Sequence, residues 1–296
     1  MNFNERKSLA FGHVPLKPGA LISGPRVVHS IVAKVDEFDL VCFRLDKLLA
    51  DAVLADLQRD CSKFYVLPYR QPFMFRWNWM VAVVRPSRDW LLRFCELLPS
   101  DVTAELCYAE VSRDFITWTK VQASALHSAV LSSLVRRRFA GTPTRYETTS
   151  YYGPRRDTIA MYHNRPHKGT DQFLGYPCLH AEIRIAGKAR LNGFGLARPR
   201  DLVDYDFGKA WERACTFYTV PDDLRELGSD LGDGRKAVGD HALRKRARRF
   251  IQAGMDGDLF IAHRAIRSQG AGRIARTDFD EWIRANMKVS PNPLLI

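Results

Sequence analysis

Three segments between residues 105 and 185 carry side chains that can bind a metal ion or attack a phosphodiester. The first, residues 105–115, predicts a strand on which Glu110, Ser112 and Asp114 share one face. Carboxylates on the polar face of a strand can hold a hard divalent cation. Residues four apart on a strand are separated by about 13 Å, so one ion does not easily reach both acids, and Glu110 is the preferred ligand. The alternative is an ordinary solvated strand face.

The second segment, residues 149–162, predicts two strands joined by a basic Gly-Pro turn, and Tyr162 ends the second strand. A tyrosine hydroxyl is a useful nucleophile on a phosphodiester because the phosphotyrosine link conserves the bond energy for religation. The pKa of a free tyrosine is about 10, so the hydroxyl needs a metal or cations nearby. Arg155 and Arg156 are the candidate cations in the turn. A hairpin with an aromatic packing residue is the alternative.

The third segment, residues 178–185, also predicts a strand, with His180, Glu182 and Arg184 on its polar face. A histidine and a glutamate two residues apart on a strand can both reach one metal ion. A half-exposed strand without a ligand is the alternative.

Histidine spacing separates this chain from one class of nicking enzymes, in which two histidines flank a single apolar residue. No such triplet occurs in the sequence. His163 and His167 lie four apart in a predicted loop, where a metal pair is one option. Solvated or phosphate-contacting histidines are the favoured interpretation.

The elements that must position these side chains follow the same order twice, strand and helix and then strands. This pattern predicts an α+β fold whose antiparallel sheet is built from two similar strand-helix-strand halves, residues 1–100 and 101–200. The predicted strands are 29–35, 39–43, 79–84, 105–116, 146–152, 158–162 and 179–185, and the predicted helices are 46–58, one beginning after Ser87, and 119–137.

The composition changes near residue 200, where the strand signal ends and helices are predicted at 206–217, 241–253, 258–268 and 277–286. Residues 235–276 hold eleven Lys or Arg against three acidic residues. Residues 201–296 therefore predict a helical, basic DNA-binding module in which a helix-turn-helix places Arg264 and Arg267 on one face. A helical tail with a solvated basic face is the alternative.

The charge of the whole chain favours a polyanionic partner. Its 45 Lys and Arg exceed its 33 Asp and Glu, which gives a net charge of +12 and a pI of about 9.6. Such a balance is typical of nucleic-acid-binding proteins. A basic, well-solvated surface without a partner is the alternative.

The sequence predicts a cytoplasmic protein without membrane contact. Its six cysteines include no C-x-x-C pair, which excludes zinc-ribbon and thioredoxin-like sites, and most have apolar neighbours, as buried free thiols do. The first 20 residues lack the apolar core of a signal peptide. No apolar run approaches the roughly 18 residues that span a bilayer.

The order of the blocks resembles the trans-acting rolling-circle replication initiators of plasmids and, more distantly, filamentous-phage initiators. Their pattern runs roughly R-x-D-x-A-x-D, T-x-Y-x-G-x-R-x-S, I-x-x-Y-x-K and R-x-E. The matching residues are, block by block, Tyr108, Glu110 and Asp114; Thr149, Tyr151, Gly153 and Arg155; Ile159 and Tyr162; His180 and Glu182.

The chain departs from this pattern at several positions. Glu110 stands where Asp is usual, and Tyr108 and His180 stand where Arg is usual. Asp157 replaces the Ser of the second block, and Asn164 replaces the Lys of the third. These departures affect the expected metal shell and the stabiliser of the leaving group more than the nucleophile.

The resemblance implies a metal-dependent, site-specific DNA endonuclease and strand transferase that starts rolling-circle replication of a plasmid or a phage. Tyr162 takes the position of the nucleophile and would form a 5′-phosphotyrosine link, while Arg155 or Arg156 offsets charge in the transition state. The expected cofactor is Mg²⁺ or Mn²⁺. Its candidate ligands are Glu110, Glu182, Asp114 and His180.

The partner implied is origin DNA, double-stranded and locally melted, together with a host helicase and polymerase; a homodimer is one open option. Basic side chains would hold the origin through its phosphates. The candidates are Arg136, Arg137, Arg138, Arg244, Lys245, Arg248, Arg249, Arg264 and Arg267.

Two other functions remain open. A non-catalytic, sequence-specific DNA-binding regulator would keep the fold and the basic module, and the changes at Asp157 and Asn164 suit a site that has lost activity. An RNA-binding protein is the other option, because antiparallel sheets with exposed aromatic residues stack bases, and Tyr151 and Tyr152 suit that role.

Overall fold

The computed structural model describes residues 29–59, 61, 63–69, 76–136, 144–153, 157–169, 172–219 and 275–289. The strands are β1 (His29–Ile31), β2 (Ala33–Leu45), β3 (Phe64–Pro68), β4 (Trp79–Val84), β5 (Ala104–Ile116), β6 (Leu134–Arg136), β7 (Thr144–Arg145), β8 (Thr149–Tyr152), β9 (Asp157–Tyr162), β10 (Cys178–Ala186), β11 (Cys215–Thr219), β12 (Ala275–Thr277) and β13 (Met287–Val289). The helices are α1 (Asp51–Arg59), α2 (Arg88–Leu97), α3 (Lys120–Ser133), α4 (Lys188–Gly193), α5 (Phe207–Ala214) and α6 (Phe279–Asn286), with a 3-10 helix at Pro199–Leu202.

Eight strands form one antiparallel sheet in the order β3-β4-β2-β5-β10-β9-β8-β7. The two longest, β2 and β5, have 13 residues each and lie side by side, and β10 pairs with the other edge of β5. The mixture of helices with an antiparallel sheet agrees with the predicted α+β class. This sheet takes strands from both residues 1–100 and residues 101–200. The description of these two ranges as similar halves stays a prediction.

Alternation along the strands separates an apolar face from a polar face. On β5, the side chains of Ala109, Val111 and Phe115 are completely buried, and they belong to one core with apolar side chains of all six helices. The alternate residues Glu110 and Asp114 point to the other side of the sheet. Among the described residues, the helices therefore pack on one side of the sheet and the polar residues of β5 lie on the other.

The first hundred residues contain one long strand where the sequence predicted two. Strand β2 continues through residues 36–38 because it pairs with β5 along nearly its whole length. The helix predicted from residue 46 begins at Asp51 instead, since the Asp46 carboxylate accepts a hydrogen bond from the Thr103 amide at 2.8 Å and holds a loop. Strand β3 was not predicted. The helix after Ser87 is confirmed, with the Ser87 hydroxyl accepting from the Trp90 amide.

The expectation that strands end near residue 200 is wrong for the described part of the chain. The helix predicted at 206–217 ends at Ala214, and β11 follows it, paired between β6 and β12. The helix predicted at 119–137 likewise ends at Ser133, before β6. In both places a short strand pairs with a strand far away in sequence, and local periodicity does not reveal such pairing. The helix predicted at 277–286 is found as α6, which begins at Phe279 after β12 and an N-cap at Asp278.

The helices predicted at 241–253 and 258–268 lie outside the described residues, and the basic module of residues 201–296 stays a prediction. Among the helices within the described ranges, none is long and apolar enough to cross a bilayer. All six cysteines lie in these ranges and carry free thiols, and four of them are buried, in agreement with the sequence.

Candidate functional site

The polar face of the sheet brings together residues from three neighbouring strands. Directly paired residues of an antiparallel sheet point to the same side. Tyr162 of β9 pairs with His180 of β10, and His180 pairs with Asp114 of β5. The next residues on this face of β10, Glu182 and Arg184, extend the row toward the other end of the strand. The first, third and fourth blocks of the sequence pattern thus meet at one place.

A chain of hydrogen bonds links these side chains. The Tyr162 hydroxyl donates to Glu182 Oε2 at 2.6 Å, and His180 Nε2 lies 3.2 Å from the same oxygen. His180 Nδ1 pairs with Asp114 Oδ1, and Asp114 Oδ2 lies 2.5 Å from His167 Nδ1. The Tyr162 and His180 rings also stack, with centroids 4.6 Å apart. All five residues are buried, so water competes little with these contacts.

Asp39 joins His180 and Glu182 in a group that fits one cation. One ligand atom from each residue lies within 4.8 Å of the others. His180 Nε2 is 3.2 Å from Glu182 Oε2 and 4.0 Å from Asp39 Oδ2. Two ligands bound to one ion at about 2.0–2.4 Å can be at most about 4.8 Å apart. The group therefore has the dimensions of a divalent metal site, and it contacts the Tyr162 hydroxyl through Glu182.

Glu37, Asp114 and His167 form a second group whose ligand atoms also lie within 4.8 Å of one another. Glu37 Oε1 is buried without a hydrogen-bond partner in the described structure, although Arg85 Nη2 lies 3.4 Å away. A buried carboxylate oxygen of this kind is costly unless a positive charge faces it. The second group is therefore a further candidate position for a cation, and it shares Asp114 with the hydrogen-bond chain of Tyr162.

Strand β2 contributes two of its three acids, Glu37 and Asp39, to the site. The register between β2 and β5 shifts between Phe38 and Leu40, so Asp39 is an inserted residue without a partner on β5. Glu37 and Asp39 were not predicted as site residues, because Glu37 lies in the predicted break between two strands and Asp39 is only the first residue of the strand predicted at 39–43. The spacing of two acids at alternate positions next to an apolar strand was the available signal.

Three arginines border the site. Arg85 Nε donates to Asp39 Oδ1 at 2.7 Å, and Arg184 Nε donates to Glu182 Oε1 at 2.5 Å. The exposed guanidinium of Arg165 lies 4.9 Å from the centroid of the Tyr162 ring. Two arginines thus hold carboxylates in place, and the third stands over the tyrosine.

Glu110, the preferred ligand from the sequence, lies at the margin of the site. Its carboxylate accepts a hydrogen bond from the Tyr108 hydroxyl at 2.5 Å and lies 3.6 Å from Arg184 Nε. Of the four predicted metal ligands, His180 and Glu182 share the first group and Asp114 belongs to the second. Glu110 belongs to neither.

Two carboxyls around the site have raised pKa values. Burial raises the pKa of Glu37 to about 7 against the opposing charge of Arg85. Burial and the nearby charge of Glu182 raise the pKa of Glu110 to about 7. Each carboxyl would ionise more readily with a divalent cation beside it.

The tyrosine is held as a neutral phenol. Burial, followed by the charge of Glu182, raises the pKa of Tyr162 well above its ordinary value. Burial would lower the pKa of His180, but its bonds to Asp114 and Glu182 outweigh that effect and raise the pKa to about 10. At neutral pH these residues therefore pair a phenol with an imidazolium, and added positive charge would favour the phenolate.

The other predicted site residues are not placed by the structure. Arg136 ends β6, and its side chain is not described. The remaining candidates lie outside the described residues and stay predictions; they are Arg155, Arg156, Arg137, Arg138, Arg244, Lys245, Arg248, Arg249, Arg264 and Arg267.

Comparisons with known proteins give little support from similarity. No protein-family model matches the chain, and no curated protein matches it. Among solved structures, the rolling circle replication initiator protein from Geobacillus stearothermophilus aligns with 76% of this chain and 97% of that chain, with 12% sequence identity and a TM-score of 0.39. A similarity this low carries no conclusion about chemistry.

Proposed function

We propose that this protein nicks DNA by attack of Tyr162 on a phosphodiester and thereby starts rolling-circle replication. The observation that carries the proposal is the 2.6 Å hydrogen bond from the Tyr162 hydroxyl to Glu182, a carboxylate that also belongs to a group fitting a divalent cation. A buried tyrosine needs both a proton acceptor and positive charge to become a nucleophile. This arrangement offers both at one point of the sheet.

The chemistry follows from the contacts of Tyr162. Its oxygen attacks phosphorus while its proton passes to Glu182 Oε2, and the 3′ oxygen of the cut strand leaves and takes a proton from solvent. The product is a 5′-phosphotyrosine link with a free 3′ hydroxyl, which a host polymerase can extend behind a host helicase. Attack of a 3′ hydroxyl on the phosphotyrosine reverses the step and religates the displaced strand.

Asp39, His180 and Glu182 would hold the metal ion. Two carboxylates and one imidazole suit Mn²⁺ or Mg²⁺, and the imidazole nitrogen favours Mn²⁺. When bound, the ion would neutralise the phosphate and lower the pKa of the tyrosine.

Arg165 is the described cation best placed to meet the DNA phosphate. Its guanidinium is exposed and lies 4.9 Å from the centroid of the Tyr162 ring. It follows the position where the plasmid initiators carry Lys, which in this chain is Asn164. A positive charge there can stabilise the charge that develops on phosphorus.

The test is a nicking assay on supercoiled DNA that carries the region flanking the gene of this protein. Wild type with Mn²⁺ should yield nicked circles with protein on the 5′ end, and chelator should abolish them. Tyr162→Phe should yield none, whereas Tyr65→Phe, a change at an exposed tyrosine on β3, should behave as wild type.

Two results would overturn the mechanism. Metal-dependent nicking that survives Tyr162→Phe would move the nucleophile to another tyrosine. Tight binding of the same DNA without nicking by wild type would instead support a non-catalytic DNA-binding regulator.

A further inference from the structure

Tyr151 lies on the same face of the sheet as the nucleophile. It pairs with Ala160 of β9, which in turn pairs with Glu182 of β10. Its neighbour Tyr152 points to the opposite face and is 5% exposed within the core. Of the two tyrosines in this segment, Tyr151 is therefore the one that a ligand at the site can meet.

Two further side chains continue the surface around Tyr151. Tyr146 contacts it edge to face, with ring centroids 5.9 Å apart and an interplanar angle of 82°. Arg184 approaches from the other side, with its guanidinium carbon 5.8 Å from the Tyr151 centroid. Because Arg184 is bonded to Glu182, and Glu182 to Tyr162, this surface is continuous with the catalytic groups.

The rings of Tyr146 and Tyr151 do not belong to the hydrophobic core. Tyr146 is 51% exposed, Tyr151 is half-buried, and both belong to the β7–β8 hairpin at the edge of the sheet. Exposed aromatic rings beside arginines form the kind of surface on which unpaired bases stack, and every base has a face that can stack. The net charge of +12 favours a polyanion as the occupant of this surface.

We propose that Tyr146, Tyr151 and Arg184 form a stacking subsite for unpaired bases of the DNA strand next to the scissile phosphate. The subsite rests on the proposed function, since it takes its substrate from that reaction. Tyr151 of β8 pairs with Ala160, two residues before Tyr162 on β9, so Tyr151 and Tyr162 are diagonal neighbours on adjacent strands. Diagonal neighbours lie about 7–8 Å apart, so a base on Tyr151 lies about one nucleotide step from a phosphate at Tyr162. Stacking there would hold the strand melted and would align the phosphodiester with the nucleophile.

The experiment measures binding, not cleavage, and uses the full chain with Tyr162→Phe as the background. The probes are a fluorescein-labelled oligothymidylate and an oligomer of the same length in which every base is replaced by an abasic site, followed by anisotropy at one fixed salt concentration. The background protein should bind the oligothymidylate more tightly. Tyr151→Ala should weaken that binding roughly 5- to 100-fold and leave abasic binding unchanged, because one stacked base contributes about that much.

Matched variants separate stacking from other effects. Tyr151→Phe keeps the ring and should bind nearly as the background protein does, and Tyr146→Ala should weaken oligothymidylate binding without affecting the core. Tyr65→Ala removes an exposed ring on β3, six strands from β8, and should have no effect.

The subsite is overturned if Tyr151→Ala and Tyr146→Ala both bind the oligothymidylate as tightly as the background protein, or if they weaken abasic binding equally. These readings do not depend on nicking. A stacking effect without nicking by the wild type would refute the proposed function alone, and nicking without a stacking effect would refute the subsite alone.

Discussion

At the scale of single residues, Glu182 has two roles in the proposed chemistry, as proton acceptor for Tyr162 and as a ligand of the cation. Its two oxygens have different partners. Oε2 accepts from the Tyr162 hydroxyl and lies beside His180 Nε2, whereas Oε1 accepts from Arg184. The arginine fixes the orientation of the carboxylate through a charge-assisted bond. The other oxygen, Oε2, therefore faces both the tyrosine proton and the candidate cation position.

Glu182→Gln should lower the nicking rate by about 100-fold or more, which is the range for loss of a positioned proton acceptor. It should also weaken Mn²⁺ binding, because the amide keeps the shape of the side chain and removes its charge. Initial nicking rates and titration calorimetry with Mn²⁺ measure the two effects. The control is Glu105→Gln, which should change neither quantity. Glu105 lies at the end of β5 far from Asp114 and pairs with the exposed Lys188. A Glu182→Gln rate close to wild type would exclude Glu182 as the proton acceptor.

At the scale of elements, two irregular points of the backbone meet at the site. One is the inserted residue Asp39 in β2, and the other is Arg85 just after β4, whose φ of 51° lies in the left-handed region. Such a conformation costs a residue with a side chain roughly 1–2 kcal/mol. The Arg85 amide donates to the Asp39 carbonyl at 3.2 Å, and its side chain holds the carboxylates of Asp39 and Glu37. Local strain thus positions one acid from each candidate cation group.

Arg85→Lys should destabilise the protein by about 1–3 kcal/mol, because a single ammonium cannot reproduce the two contacts of the guanidinium. Added Mn²⁺ should restore more stability to this variant than to wild type, since the ion can bind the carboxylate that the ammonium no longer contacts. Urea unfolding with and without Mn²⁺ measures both quantities. Arg93→Lys, an exposed pair with Asp56 on the outer surface, is the matched control and should cost less than about 1 kcal/mol. Equal stabilisation of wild type and Arg85→Lys by Mn²⁺ would separate Arg85 from the cation groups.

At the scale of the whole molecule, the sequence predicted those parts of the fold that local periodicity encodes. Alternation identified β5 and β10, and with them Asp114, His180 and Glu182 on the polar faces of these strands. Tyr162 was identified from its place at the end of a predicted strand and from the resemblance to replication initiators. Alternation did not identify Asp39, because a bulge depends on the partner strand and leaves no periodic trace. The pairing of β11 with β6 and β12 joins segments far apart in the chain, and local patterns cannot report such contacts. The joining of three blocks into one site was predicted, and the contribution of β2 was not.

Residues 275–289 pack against β1 and β5, which lie much earlier in the chain. Strand β13 pairs in parallel with β1, and α6 packs its Phe279 ring against Phe115 of β5. The buried Arg113 of β5 joins β2 to α6. Its Nε donates to Asp36 at 2.6 Å, and its Nη1 donates to Asp280 at 3.0 Å. This ionic contact lies on the face of β5 opposite to the site, so it supports the sheet without taking part in the chemistry.

The pH dependence of stability should show how strongly the contact of Asp280 with Arg113 holds α6 on the sheet. Burial alone would raise the pKa of Asp280, but the charges of Arg113 and Lys34 outweigh it and hold the pKa below its ordinary value. A carboxyl with a lowered folded-state pKa stabilises the fold above its ordinary pKa, about 3.9, and loses that contribution as the pH falls through the lowered value. Asp280→Asn should therefore cost about 1 kcal/mol at pH 7, a modest value because Asp280 is partly exposed, and the difference from wild type should shrink below about pH 4. Urea unfolding across this range measures it, with Asp204→Asn in the exposed pair with Arg88 as the control. A cost for Asp280→Asn that stays constant down to the lowest pH would mean that its charge does not hold α6 against Arg113.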